Sequence, residues 1–267
     1  MTTGSVDRAT RPLAVVTGAT AGIGREFCSQ LAAWGYDLIV AARNAARLDQ
    51  LRQDLEGSHH IQVEVFPADL TIDTDVSLLA ERLSRSPDLT LLVNNAGFGS
   101  RGNLANASPA VQEAMLRLHV MAPMRLSQAA LPVLLNKGRG GIINVSSVAS
   151  FLYSPGNVNY CATKAYLTSF SEGIAAELAG TGVRVQALCP GFTHTEFHQR
   201  MEADVRHLPA WMWLTASDVV RTSLRSLDRG GPVVCIPDLR YKLMVLLLRF
   251  TPRGMLRRLA TLREREV

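Results

Sequence analysis

Cysteine is scarce, and what there is forms no pattern. Four lie among 267 residues, Cys28, Cys161, Cys189 and Cys235, and no two make a C-x-x-C pair. This argues against a disulfide-stapled scaffold and a thiolate zinc site, and leaves small apolar residues in a reducing compartment. Long hydrophobic runs are also missing. The longest unbroken one, Leu243 to Leu248, is far too short to cross a bilayer. Met1 to Arg11 is polar and has no apolar core of a secretory signal, so a cytoplasmic protein is expected. The body of the chain lacks excess positive charge. The net charge is +5, yet Leu239 to Val267 alone holds eight Lys/Arg against two Glu, so the remainder is near neutral. Basicity confined to a tail, without interleaved aromatics, argues against a nucleic-acid-binding stripe. No internal repeat, low-complexity segment or linker divides the chain. A hydrophobic share of 47% over this length fits one domain, residues 1–267, with one large core.

What is present is an alternation of short apolar runs with helical patterns. Leu13 to Thr17 reads as a strand buried on both faces. Gly18-Ala-Thr-Ala-Gly22-Ile-Gly24 follows it, and Glu26 to Trp34 takes up helical spacing. Strand, glycine turn, helix is the setting in which backbone can approach a pyrophosphate and a helix N-terminus can stabilise its charge. Asp37 to Ala42 is the next strand. An acid just after it would bind a ribose 2′-hydroxyl, whereas an arginine accommodates a 2′-phosphate. Arg43 stands there, which favours NADP(H). Further strands are expected at Ile61 to Phe66, Thr90 to Val93, Gly141 to Val145 and Val183 to Cys189. Helices are expected at Leu48 to Leu55 and Asp73 to Leu83. A longer one runs from Pro109, capped by Ser108, to about Leu135 with an interruption near Pro123. The unbroken alternation predicts an α/β, Rossmann-type doubly wound parallel sheet.

Tyr160-Cys161-Ala162-Thr163-Lys164 opens an amphipathic stretch to about Ala179. Residues four apart share a helix face, so Tyr160 and Lys164 project together. An ammonium beside a phenol favours the phenolate and is expected to bring the Tyr160 pKa down toward neutrality.

The chain resembles the short-chain dehydrogenase/reductase family in its single-domain branch. The resemblance rests on Thr17-Gly-Ala-Thr-Ala-Gly-Ile-Gly24, Asp69-Leu70, Asn94-Asn-Ala-Gly97, Val145-Ser-Ser147, Tyr160-x-x-x-Lys164, and Pro190-Gly191 with Thr195. These motifs occur in the family's order and approximate spacing. The resemblance implies that Gly18, Thr20, Gly22 and Ile23 hold the adenosine phosphates and that Asp69 and Leu70 flank the adenine. It places Asn95, Ala96 and Gly97 on the ribose side, and Thr193 and Thr195 at the nicotinamide carboxamide, where Pro190 and Gly191 lead the chain over the cofactor. It implies that Ser147 hydrogen-bonds a substrate carbonyl, that Tyr160 donates the proton, and that Lys164 binds the nicotinamide ribose and tunes Tyr160.

One position departs from the family. His119 stands where an asparagine usually supports a water leading from the lysine; an imidazole there could hold that water or be a packed neutral residue. His194 and His198, four apart with Glu196 between them, have no third ligand in view, and no metal site is expected. Trp211, Met212 and Trp213 fall in the segment 192–230, where the family varies its substrate lid; they suggest either an apolar substrate or packing of that lid onto the body. From residue 239 to 267 the chain reads as a basic amphipathic tail. It could rest on an anionic membrane, though packing on the body or a second subunit is favoured. The expected function is NADP(H)-dependent reduction of a small-molecule ketone or oxidation of a secondary alcohol, in a homo-oligomer. The alternative is a catalytically silent NADP-binding sensor or scaffold.

Overall fold

The computed structural model describes residues 11–196, 209–252 and 254. Seven strands form one all-parallel sheet in the order β3-β2-β1-β4-β5-β6-β7. They are β1 Leu13–Thr17, β2 Asp37–Ala42, β3 Val63–Pro67, β4 Leu89–Asn94, β5 Gly140–Val145, β6 Val183–Leu188 and β7 Val234–Cys235. Between them run α1 Gly22–Ala33, α2 Ala45–His59, α3 Asp73–Ser84, α4 Pro109–Leu116, α5 Ala122–Lys137, α6 Val158–Glu177 and α7 Ala216–Asp228, with α8 Leu239–Phe250 after β7. The expected Rossmann-type sheet is therefore present.

The strands read as continuous apolar runs because each feeds two cores. Ala14 and Val16 point into one layer, with Phe27 and Leu31 of α1 and Val219, Val220 and Leu224 of α7. Val15 points into the other, with Leu79 of α3, Leu126 and Leu134 of α5 and Ile174 of α6. Covering both faces is what a parallel sheet requires. Helix ends follow local chemistry. Asn44 caps α2 by accepting from the Arg47 N–H at 2.9 Å, and Gly138 ends α5 in the left-handed region at φ 63°.

The interruption near Pro123 is not a break. Residues Arg117–Met121 form a π-turn joining α4 to α5, with the Ala122 N–H bonded to the Arg117 carbonyl. Pro123 has no N–H to offer the carbonyl of His119, and widening the turn by one residue accommodates that loss. The segment expected as a lid also differs. Its later part is α7, a core helix with Val219 and Val220 fully buried, packed on α1 and tied to it by Gln30 Nε2 donating to the Ser217 carbonyl at 3.0 Å. Of the described residues before α7, Phe192, Thr193, Thr195, Glu196 and Met212 line the cavity.

The chain reverses direction across the sheet between β1 and β4. At that switch point the carboxyl ends of the strands part and leave a crevice, the usual ligand position in open α/β sheets.

Candidate active site

A cavity of about 1940 Å³ opens along the carboxyl ends of the strands. At one end the β1–α1 turn brings Gly18, Thr20, Gly22 and Ile23 to its wall. Gly18 and Gly22 both have positive φ, 64° and 51°. A Cβ on Gly22 would lie 2.9 Å from Thr195, and one on Gly24 only 2.2 Å from the Gly18 carbonyl oxygen. Only glycine permits this approach of helix, turn and the 190s segment. Ala21 precedes α1 with no side-chain cap, so the first N–H groups of the helix remain for an anion.

Asn95, just past the end of β4, ties that strand to the glycine turn. The Asn95 side chain donates to the Thr17 and Gly18 carbonyls at 2.9 and 3.2 Å, pinning the glycine turn. The Thr17 hydroxyl accepts the N–H groups of Asn95 and Ala96 at 2.9 and 3.0 Å. Asn95, Ala96 and Gly97 still line the cavity. Asn94 lies deeper, donating to Asn144 Oδ1 at 2.8 Å across the β4–β5 pair.

Arg43, at the end of β2, lines the cavity and makes no ion pair or hydrogen bond among the described residues. Arg47 lines it too but faces Glu196, 3.4 Å away. Asp69 and Leu70 lie on the same wall, where the Asp69 carboxylate accepts both the N–H and the hydroxyl of Thr71.

Ser147, Tyr160 and Lys164 meet at the end of β5. Lys164, 5% exposed, donates its ammonium to the Val145 carbonyl at 2.7 Å. The Ser146 hydroxyl donates to the Lys164 carbonyl at 2.8 Å, so α6 is clipped to the strand at both ends of that residue. Ser147 accepts the Ala149 N–H at 3.1 Å and hydrogen-bonds the Tyr160 side chain. Lys164 Nζ sits 5.7 Å from the centre of the Tyr160 ring.

The expected lowering of the Tyr160 pKa is not what this arrangement produces. Burial pushes the phenol up to about 12, and the hydrogen bond from Ser147 opposes this only in part. Burial also brings Lys164 down to about 8. The two share a helix face as anticipated, but the ammonium is engaged by Val145 and desolvation outweighs it.

His119 is wholly buried inside the π-turn. Its Nε2 accepts the Phe98 N–H at 3.0 Å, which places the ring proton on Nδ1. Nδ1 lies 3.0 Å from the Thr163 hydroxyl, which itself donates to the Tyr160 carbonyl at 2.9 Å. Burial, then the Lys164 charge, hold its pKa well below 6.5. Both nitrogens are engaged and the ring is neutral, so His119 is a packed link from the Phe98 backbone to the Tyr160 helix. Gly97 makes room for it, since a Cβ there would sit 2.9 Å from Nε2. His119→Leu should cost about 1–3 kcal/mol by stranding the Phe98 N–H, read as a lowered denaturation midpoint. His119→Asn should become relatively more stable as pH falls below 6.5, because the unfolded histidine takes a proton that the folded one refuses. An unchanged midpoint in His119→Leu would leave these bonds without consequence.

The roof of the cavity holds Pro190, Gly191, Thr193 and Thr195. Thr193 is buried and donates to the Gly191 carbonyl at 3.0 Å; Thr195 donates to the Thr193 carbonyl at 3.4 Å. His194 stacks on Trp213 with ring centres 4.6 Å apart. His198 lies outside the described residues. The aromatic cluster divides: Trp211 is exposed, Trp213 packs against Phe192 and His194, and Met212 lines the cavity.

Tyr241 of α8 also lines the cavity, a position the sequence alone does not reveal. Its hydroxyl accepts the Phe192 N–H at 3.1 Å and donates to the Met212 carbonyl at 2.7 Å. A Cβ on Gly191 would fall 2.1 Å from its ring, so Gly191 is the space into which Tyr241 fits. The local signal was faint: a glycine after Pro190 and a tyrosine fifty residues on, joined only by the fold.

The short chain dehydrogenase family profile matches residues 12–206. This chain belongs to that family. It is therefore an oxidoreductase of the short-chain dehydrogenase/reductase type. Sulfoacetaldehyde reductase of Chromohalobacter salexigens is 35% identical over 187 residues, covering 68% of this chain and 72% of that one. A short-chain dehydrogenase from Sphingobium yanoikuyae, solved in complex with NADPH, superposes with a TM-score of 0.81 at 31% identity, covering 91% and 97% of the two chains. The bulky-bulky ketone specific alcohol dehydrogenase of Comamonas testosteroni gives 0.78 at 29% identity, covering 91% and 95%. A Burkholderia phymatum family member in complex with NAD gives 0.77 at 24% identity, covering 89% and 92%, a likeness of fold alone. The fold by itself does not choose between the two cofactors.

Proposed function

We propose that this protein reduces apolar ketones with NADPH, and oxidises the matching secondary alcohols in reverse. The observation that carries the reading is one continuous cavity with Arg43 at one end and Ser147, Tyr160 and Lys164 together on its wall. Its volume of about 1940 Å³ exceeds the roughly 300–1,000 Å³ of an ordinary ligand pocket. That leaves room for a dinucleotide and a substrate together. The glycine turn, the uncapped start of α1 and Arg43, unpaired among the described residues, suit the phosphates of such a cofactor.

A bound nicotinamide supplies the hydride. The residues of this chain handle the substrate oxygen. With its pKa at about 12, Tyr160 is protonated throughout the neutral range, the state a general acid requires. Ser147 already spends one lone pair on Ala149, which fixes its hydroxyl beside Tyr160 and able to reach the same carbonyl oxygen. As that oxygen gains charge, the Tyr160 proton passes to it, and Ser147 stabilises the phenolate left behind. Lys164 adds a positive charge near the ring and, with Val145, holds the helix in register. Phe98, Phe151, Leu152, Phe192, Met244 and Leu248 give the cavity an apolar lining suited to a lipid-like carbonyl.

The test is an NADPH-consumption screen over methyl ketones of increasing chain length, repeated with NADH. Consumption should rise with chain length and be at least about tenfold slower at equal NADH. A protein that binds NADPH but consumes none with any carbonyl would be a cofactor-binding sensor or scaffold instead.

A further inference from the structure

The outer side of α8 is apolar. Leu239, Leu243, Leu246, Leu247 and Phe250 recur at helical spacing along one side and are 50% to 81% exposed. The opposite side is committed, with Tyr241 and Val245 buried and Met244 and Leu248 lining the cavity. Scattered exposed leucines need no explanation, but four with a phenylalanine in one stripe make a patch of the kind that marks an interaction surface. The account favoured from sequence was packing on the body or on a second subunit; among the described residues nothing of the body covers this stripe.

Charge selects the occupant. No acidic residue lies between Asp238 and Glu264, an interval that contains Arg240, Lys242, Arg249, Arg253, Arg257, Arg258 and Arg263. Among the described residues Arg240 is held by Asp238 at 2.8 Å, while Lys242 is exposed. Residues 253 and 255–267 lie outside the described residues and contribute here by composition alone. A second copy docked through the same face would bring two such basic sets together, with like charges opposed. An anionic bilayer offers an apolar phase to the leucines and counter-charge to the arginines at once.

We propose that α8 rests on an anionic membrane surface through Leu239, Leu243, Leu246, Leu247 and Phe250. Its 12 residues span about 18 Å, too short for a bilayer core of about 30 Å, so the helix lies in the interface plane. No described helix is long and apolar enough to cross a membrane. Since the inner side of α8 walls the cavity, docking sets that wall beside the lipid. The inference is independent of the proposed activity, because its test reads no turnover.

The experiment is flotation of the full chain with vesicles of phosphatidylcholine and phosphatidylglycerol, compared with phosphatidylcholine alone. At low salt the protein should float with the anionic vesicles only, and high salt should release it. Each cation that reaches the headgroups adds about fivefold to partition. The double variant L243E/L247E should lose at least about tenfold of the binding, with circular dichroism confirming its fold. Leu246→Glu, a single change on the same face, should lose part of it. Wild-type protein remaining unbound at low salt would overturn the proposal. So would equal flotation of wild type and L243E/L247E, which would assign binding to the arginines alone. A dimer in sedimentation that L243E/L247E dissociates would overturn it in favour of a second copy.

Discussion

Tyr160→Phe should reduce ketone turnover by at least about 10²-fold, the effect of removing a general acid, while NADPH still binds. The substitution deletes one oxygen and keeps the ring. The ring's surroundings, His119 edge-on at 5.9 Å and Lys164 at 5.7 Å, do not depend on that oxygen. The bond lost is the one to Ser147, whose hydroxyl keeps its contact with Ala149. The fold should therefore hold, and NADPH titration by fluorescence should give a near-normal affinity. The wild-type rate should also decline as pH rises through about 8, as Lys164 loses the charge that steadies the phenolate. Tyr160 itself, at about 12, remains protonated across that range. Near-normal turnover in Tyr160→Phe would remove it from the reaction.

Arg43→Ala should weaken NADPH by about 10- to 100-fold, as expected for a charge-assisted phosphate contact of roughly 1.5–3 kcal/mol, and leave NADH nearly unchanged. The neighbouring cation is differently placed, because Arg47 already faces Glu196 at 3.4 Å. An exposed pair of this kind contributes little to stability, so Arg47→Ala makes a useful comparison with a smaller loss. Equal loss for both cofactors in Arg43→Ala would mean that the arginine supports the turn and does not read the 2′-phosphate. Isothermal titration with each cofactor separates the two.

Much of the scaffold was legible because buried parallel strands leave an unmistakable mark. Leu13–Thr17 and Asp37–Ala42 were read to the residue, since both faces of each are covered and no polar alternation blurs their ends. Val234–Cys235 was not read, because two residues carry no period. The candidate site was legible as a set of positions: the glycine turn, Arg43, Ser147, Tyr160 and Lys164 all reach one cavity. What sequence could not price was desolvation. Four-residue spacing puts Lys164 beside Tyr160, but only the fold shows the ammonium engaged by Val145 and the phenol driven upward. His119 is similar. Its place in a helix was plain, yet its proton is set by Phe98 and Thr163, 21 and 44 residues away. Tyr241 was hidden by distance along the chain, and the amphipathic pattern of α8 left open which of its two apolar sides faces inward.

The central claim is that hydride passes from NADPH to a ketone carbon in this cavity. The most direct measurement supplies NADPH deuterated at both C4 positions of the nicotinamide, together with an apolar ketone, and analyses the alcohol by mass spectrometry. The account predicts one deuterium on the carbinol carbon and consumption of cofactor in step with alcohol formed. Alcohol without deuterium, or no alcohol while Tyr160, Ser147 and Lys164 are intact, would contradict it.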